Sequence, residues 1–127
     1  ENFSIISYSP LGGGLLTGKY ERKTNDDSRL NIDKKYFKRY SHKFMREATS
    51  KLVQFSKSKN LNPSILAISW VAKNPAITAP IISARNFKQL KTSLDSISFK
   101  ISDDVYDFLN SLAPTPPPAT DRLEEQL

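Results

Sequence analysis

The chain has 127 residues, no cysteine, only four glycines and a formal charge of +6. Zero cysteine excludes a disulfide scaffold and any thiolate metal site, and it agrees with a reducing, cytoplasmic setting. No apolar run approaches the ~20 residues of a membrane-spanning helix, and Glu1 is preceded by no basic-then-apolar leader. A start at Glu1 rather than Met suggests a processed chain or part of a longer one.

Residues 3–8, Phe-Ser-Ile-Ile-Ser-Tyr, read as a short strand ended by Pro10. The adjacent isoleucines suit a strand buried on both faces of a parallel sheet. Residues 10–18 hold all four glycines, Gly12, Gly13, Gly14 and Gly18. Such a segment can take positive φ and lie close to a ligand. Residues 21–33 are polar and without period, as in a loop.

A helical period then runs over residues 38–59, with Phe44, Ala48, Leu52 and Phe55 on one stripe. Asn62-Pro63 starts a second helix, with Asn62 as N-cap. Ile65, Leu66, Ile68, Trp70 and Val71 make it apolar nearly all round, hence buried, and Asn74-Pro75 stops it. Residues 78–83 form a second short strand, in which Pro80 is awkward. Asn86 caps a third helix carrying Phe87, Leu90, Leu94 and Ile97. Ser102-Asp103-Asp104 opens a fourth, with Val105, Phe108, Leu109 and Leu112. A proline-rich tail follows over residues 114–127.

Strands alternating with helices predict a parallel α/β sheet. Two strands cannot supply both faces of one, so residues 1–113 are expected to be part of a larger α/β domain.

The basic excess is local. Residues 19–59 hold thirteen Lys and Arg against five Asp and Glu. Tyr36, Phe37 and Tyr40 lie among these bases, as in a nucleic-acid module. No helix-turn-helix, zinc-finger or RNP-type pattern accompanies them, and a solvated helix face is the favoured reading. His42, the sole histidine, lies in this stretch with no carboxylate at obvious partner spacing and reads as a surface residue.

Three patterns compete for the glycine segment. The dinucleotide fingerprint G-x-G-x-x-G fails, because position 17 is Thr17. The P-loop G-x-x-x-x-G-K-[ST] matches at Gly13, Gly18 and Lys19 but ends in Tyr20, whose phenol reaches past the place of a Mg²⁺ ligand. The third pattern is a resemblance. Ile6-Ser7-Tyr8-Ser9-Pro10-Leu11-Gly12-Gly13-Gly14-Leu15-Leu16-Thr17-Gly18-Lys19-Tyr20 closely resembles the seventh strand and following loop of aldo/keto reductases. Ala79-Pro80-Ile81-Ile82-Ser83-Ala84-Arg85 with Gln89-Leu90 is similar to their eighth-strand motif. Between them, Leu66-Ala67-Ile68-Ser69-Trp70 resembles the family's Leu-Ala-Leu-Ala-Trp helix, and Ser102-Asp103-Asp104 and the tail from Thr115 resemble its later parts, all in the right order.

The resemblance implies a (β/α)8 barrel of which this chain is the C-terminal part, since a complete barrel needs roughly 250 residues. It implies NADPH as cofactor, NADH being disfavoured, and hydride transfer to a small carbonyl substrate. Tyr8 resembles the residue that stacks on the nicotinamide. Ser9, Pro10, Leu11 and Gly13 resemble the pyrophosphate loop, and Lys19 adds positive charge there. Ser83 and Arg85 resemble the pair that grips the 2′-phosphate, a role the forked guanidinium suits. Gln89 resembles an adenosine contact. Ser93 stands where the family often has Asn, which shortens that contact.

The family's catalytic Asp, Tyr, Lys and His lie on earlier strands, so no catalytic residue is expected here and the chain alone is expected to be inactive. No metal and no membrane partner is implied. A non-catalytic, cofactor-binding regulatory relative of the same fold is the alternative.

Overall fold

A computed structural model describes residues 3–21 and 29–115. The tail beyond residue 115 and part of the polar loop lie outside these. Strand β1 (Ile6–Ser7) pairs in parallel with β2 (Ala79–Pro80), with Ile6 opposite Ala79 and Ser7 opposite Pro80. Flanking bonds extend the ladder: Thr78 N–H donates to the Ile5 carbonyl at 2.8 Å and Ile81 N–H to that of Ser7 at 2.7 Å. Pro80 lacks an N–H and so contributes none itself.

Six α-helices follow among the described residues: α1 (Arg29–Ile32), α2 (Lys34–Tyr40), α3 (Lys43–Ser58), α4 (Pro63–Lys73), α5 (Phe87–Ser98) and α6 (Asp103–Asn110). The expected helix over residues 38–59 is thus two helices. Asp33 caps α2, its carboxylate accepting from Lys35 N at 2.9 Å and Tyr36 N at 3.3 Å. The α2 helix ends at Tyr40, and α3 starts afresh after His42. Residues 29–32, read as loop, form the short α1.

The core lies between α3, α4 and α6. Leu52, Leu66, Ala67, Ile101 and Leu109 are buried together. Phe55 stacks on Phe108 with ring centroids 4.4 Å apart. On α3 the buried hydroxyls turn back on their own helix, Thr49 Oγ1 to Met45 O and Ser56 Oγ to Leu52 O. Asn62 caps α4 by accepting from Ser64 N at 2.8 Å, as its sequence predicts. Trp70 Nε1 donates to Asn110 Oδ1 at 2.8 Å and ties α4 to α6.

The first strand was expected to be buried on both faces and the second to be buried, and here the structure differs. Ile6 is 59% and Ile81 55% exposed. Helices of this chain leave much of the two-stranded ribbon in contact with solvent. Phe87, Leu90, Leu94 and Ile97, the apolar residues that the third helix was expected to carry, are exposed too. The inner face of α5 is instead lined by serines: Ser93 and Ser96 are buried, and Ser69 Oγ of α4 donates to Ser96 O at 3.2 Å.

Candidate cofactor site

The parallel register sends both candidate segments out from neighbouring strand ends. The chain leaves β1 into Tyr8, Ser9 and the glycine turn, and leaves β2 into Ile81, Ser83 and Arg85. In sheets of this kind, ligand sites form where loops leave the carboxyl ends of parallel strands.

The glycine segment is a pair of 3-10 turns, Gly12–Thr17 and Lys19–Glu21. Gly12, Gly13 and Gly14 have φ of +54°, +63° and +93°, three left-handed residues in succession. An L-residue there costs about 1–2 kcal/mol, which accounts for the unbroken run of three glycines. Ser9 also has positive φ, +53°, a strain that clusters at functional loops. Gly12 N–H donates to Ser9 O at 2.9 Å and Gly14 N–H to Leu11 O at 3.0 Å, closing the turn on itself. These two N–H groups are spent internally.

Lys19 folds back over this turn. A Cβ placed on Gly14 would stand 3.3 Å from Lys19 Nζ, and the ammonium lies 4.9 Å from the Tyr20 ring centroid. The place of the missing Cβ is therefore an approach to a positive charge, the chemistry an anionic group needs. Tyr8 presents its ring to solvent, 70% exposed, as a stacking surface must.

On the second segment, Ser83 and Arg85 are exposed at the head of α5. Asn86 caps the helix by accepting from Gln89 N at 3.0 Å. Gln89 Oε1 in turn accepts from Arg85 N–H at 3.0 Å, so Gln89 holds the Arg85 backbone at the helix mouth. The residues fit a dinucleotide: an exposed ring, a cationic glycine turn and an arginine beside a helix N-terminus. Ser93 stands apart from this group. It is buried on the same face as Ser96, and its carbonyl accepts from Ser96 Oγ at 2.6 Å.

Sequence reasoning missed two residues. Tyr36 and Tyr40 lie one helical turn apart on α2 and place their rings against Gly12 and Gly13. Their i, i+4 spacing was the available signal. His42 precedes α3 with its ring stacked on Phe44, and no metal-binding cluster occurs among the described residues.

The model of the aldo/keto reductase family matches residues 1–114. The chain belongs to the aldo/keto reductase family. This aldo/keto reductase chain is 30% identical over 105 residues to Protein tas of Escherichia coli strain K12, covering 83% of the chain and 30% of that protein. It is 31% identical over 115 residues to the uncharacterized oxidoreductase YrpG of Bacillus subtilis, covering 88% and 32%. It is 29% identical over 105 residues to the aldo-keto reductase yakc [NADP(+)] of Schizosaccharomyces pombe, covering 80% and 30%. The chain thus spans about a third of the length of these relatives. Membership implies a (β/α)8 parent fold. No helix among the described residues is long and apolar enough to cross a membrane.

Proposed function

We propose that this chain is the cofactor-binding part of a cytoplasmic, NADPH-dependent carbonyl reductase, contributing the last two strands of a (β/α)8 barrel. One observation carries the reading. Two segments with complementary chemistry leave the same end of two paired parallel strands, the glycine turn with Lys19 on one and Arg85 at a helix start on the other.

In this reading Tyr8 stacks on the nicotinamide and leaves one face of that ring toward the substrate. Ser9, Pro10, Leu11 and Gly13 shape the loop against the pyrophosphate, and Lys19 adds positive charge. Ser83 and Arg85 take the 2′-phosphate, which selects NADPH over NADH. Gln89 acts by orienting Arg85. When bound, the dinucleotide supplies the hydride that reduces a carbonyl carbon. The residues of this chain bind and orient it, and the proton donor comes from earlier strands.

The exposed apolar surface supports the same reading. Ile6, Ile81 and the Phe87, Leu90, Leu94 and Ile97 stripe form the kind of face that the remaining strands and helices of a barrel cover.

The test is titration of the intact protein with NADPH and NADH. NADPH is expected to bind at least about tenfold more tightly, the worth of one charge-assisted phosphate contact. Arg85→Ala is expected to bring the two affinities together. Equal affinities in the wild type, or an unchanged preference in the variant, would remove the 2′-phosphate role.

A further inference from the structure

The Gly12–Thr17 turn has two sides, and one of them is occupied. A Cβ on Gly13 would stand 3.0 Å from Tyr36 Cδ1 and 3.2 Å from both Cδ2 and Cε2 of Tyr40. One on Gly12 would stand 3.6 Å from Cδ1 and Cε1 of Tyr40. The two rings lie 6.1 Å apart at 34°, a tilted pair roofing the first two glycines. Gly14 faces away from them, toward Lys19.

The helix that carries these rings is anchored on its own account. Asp33 caps it. Just before it Leu30 is buried, and Leu30 N–H donates to Tyr20 Oη at 3.1 Å, which fastens α1 to the far end of the glycine segment. The Arg39 guanidinium lies 5.9 Å from the Tyr36 ring centroid and steadies that ring from the helix side. The α1–α2 pair is therefore a strap across the turn, and its contact with the first two glycines is aromatic.

Consecutive left-handed glycines are the most permissive backbone a chain can have. Without a support they sample many shapes, and binding must then bear the cost of ordering them. We propose that Tyr36 and Tyr40 are positioning residues that hold the Gly12–Gly13–Gly14 turn in its binding shape, so that the cofactor's pyrophosphate meets a preformed loop. This rests on the dinucleotide reading above. It adds a second reason for one glycine: a Cβ on Gly13 would crowd the rings packed on that side, whatever approaches the other.

The experiment uses the intact protein and two probes, NADPH and adenosine 2′-phosphate. The second carries the Arg85-directed phosphate but no pyrophosphate. Tyr40→Ala is expected to raise the NADPH dissociation constant about tenfold and leave adenosine 2′-phosphate unchanged. Tyr40→Phe, which keeps the ring, is expected to stay near wild type for both. A general loosening of the fold would weaken both probes alike and overturns the proposal, as does unchanged NADPH binding in Tyr40→Ala.

A second pair of variants serves if Tyr40→Ala does not fold. Gly13→Ala drives a methyl into the rings, and Gly13→Ala with Tyr36→Ala makes room for it. The double variant is expected to recover part of the NADPH affinity lost in the single one, and no recovery overturns the proposal. A wild type that binds adenosine 2′-phosphate but not NADPH refutes the positioning role. A wild type that binds neither removes the dinucleotide reading together with it.

Discussion

Gly18 lies directly against Val53. A Cβ on this glycine would fall 2.6 Å from Val53 Cγ2, closer than two carbons can approach. Its φ of +77° caps the end of the 3-10 turn in a left-handed conformation. The last glycine of the segment is thus a packing residue that seats the loop on α3.

Gly18→Ala therefore combines backbone strain with overpacking. We expect a loss of about 2–4 kcal/mol in the stability of the intact protein, measured by urea unfolding. Val53→Ala in the same chain should return part of it, because the steric share vanishes and the φ share stays. A single variant as stable as wild type would contradict the close contact.

Lys19 is placed to act by charge rather than by shape. Lys19→Ala is expected to weaken NADPH binding about three- to tenfold at low ionic strength, and less at high salt, since salt screens an exposed charge. Dissociation constants at two salt concentrations check this. A salt-independent loss would indicate a packing role over Gly14.

Asp104, in the first turn of α6, has its pKa lowered. The largest cause is the Ser102 hydroxyl, opposed in part by desolvation, and the backbone N–H groups of Asp104 and Val105 and the Lys59 charge lower it further. A carboxylate held below its ordinary value of 3.8 stabilises the fold above that pH and stops doing so as pH falls through the folded-state value. Ser102→Ala is expected to move the Asp104 titration up toward 3.8, followed by NMR of the carboxyl carbon. No movement would assign the depression to the helix dipole.

The exposed apolar surface also makes a prediction for the isolated 127-residue chain. Phe87 and Ile97 are 79% and 77% exposed on one helix, beside a strand pair open on its edges. Such a surface recruits other copies. Sedimentation velocity should show concentration-dependent association, and Leu94→Lys with Ile97→Lys should reduce it. A monodisperse monomer with a sharp thermal melt would show that the chain needs no covering partner.

Much of the local structure could be read from neighbours in sequence. Asn62 and Asn86 were legible as caps because a cap accepts from an N–H two or three residues on, within the reach of one side chain. The strands were legible in place, and the turn in its need for glycine. The break between α2 and α3 was not, because residues 34–59 carry no glycine or proline to mark it.

Periodicity could not orient α5. Its apolar stripe was real, but a period reports which residues share a face and not what that face meets. Here the serine face turns toward α4 and the apolar face stays open, so Ser93 is buried and Ile97 is not.

Linear order thus sufficed for the family to which the two strand-end motifs belong. Which residues stand over the glycines did not follow from it. Tyr36 and Gly13 are twenty-three positions apart, and Val53 and Gly18 thirty-five. Contacts of that separation depend on how three helices pack around one turn, and no pattern within a single segment encodes them.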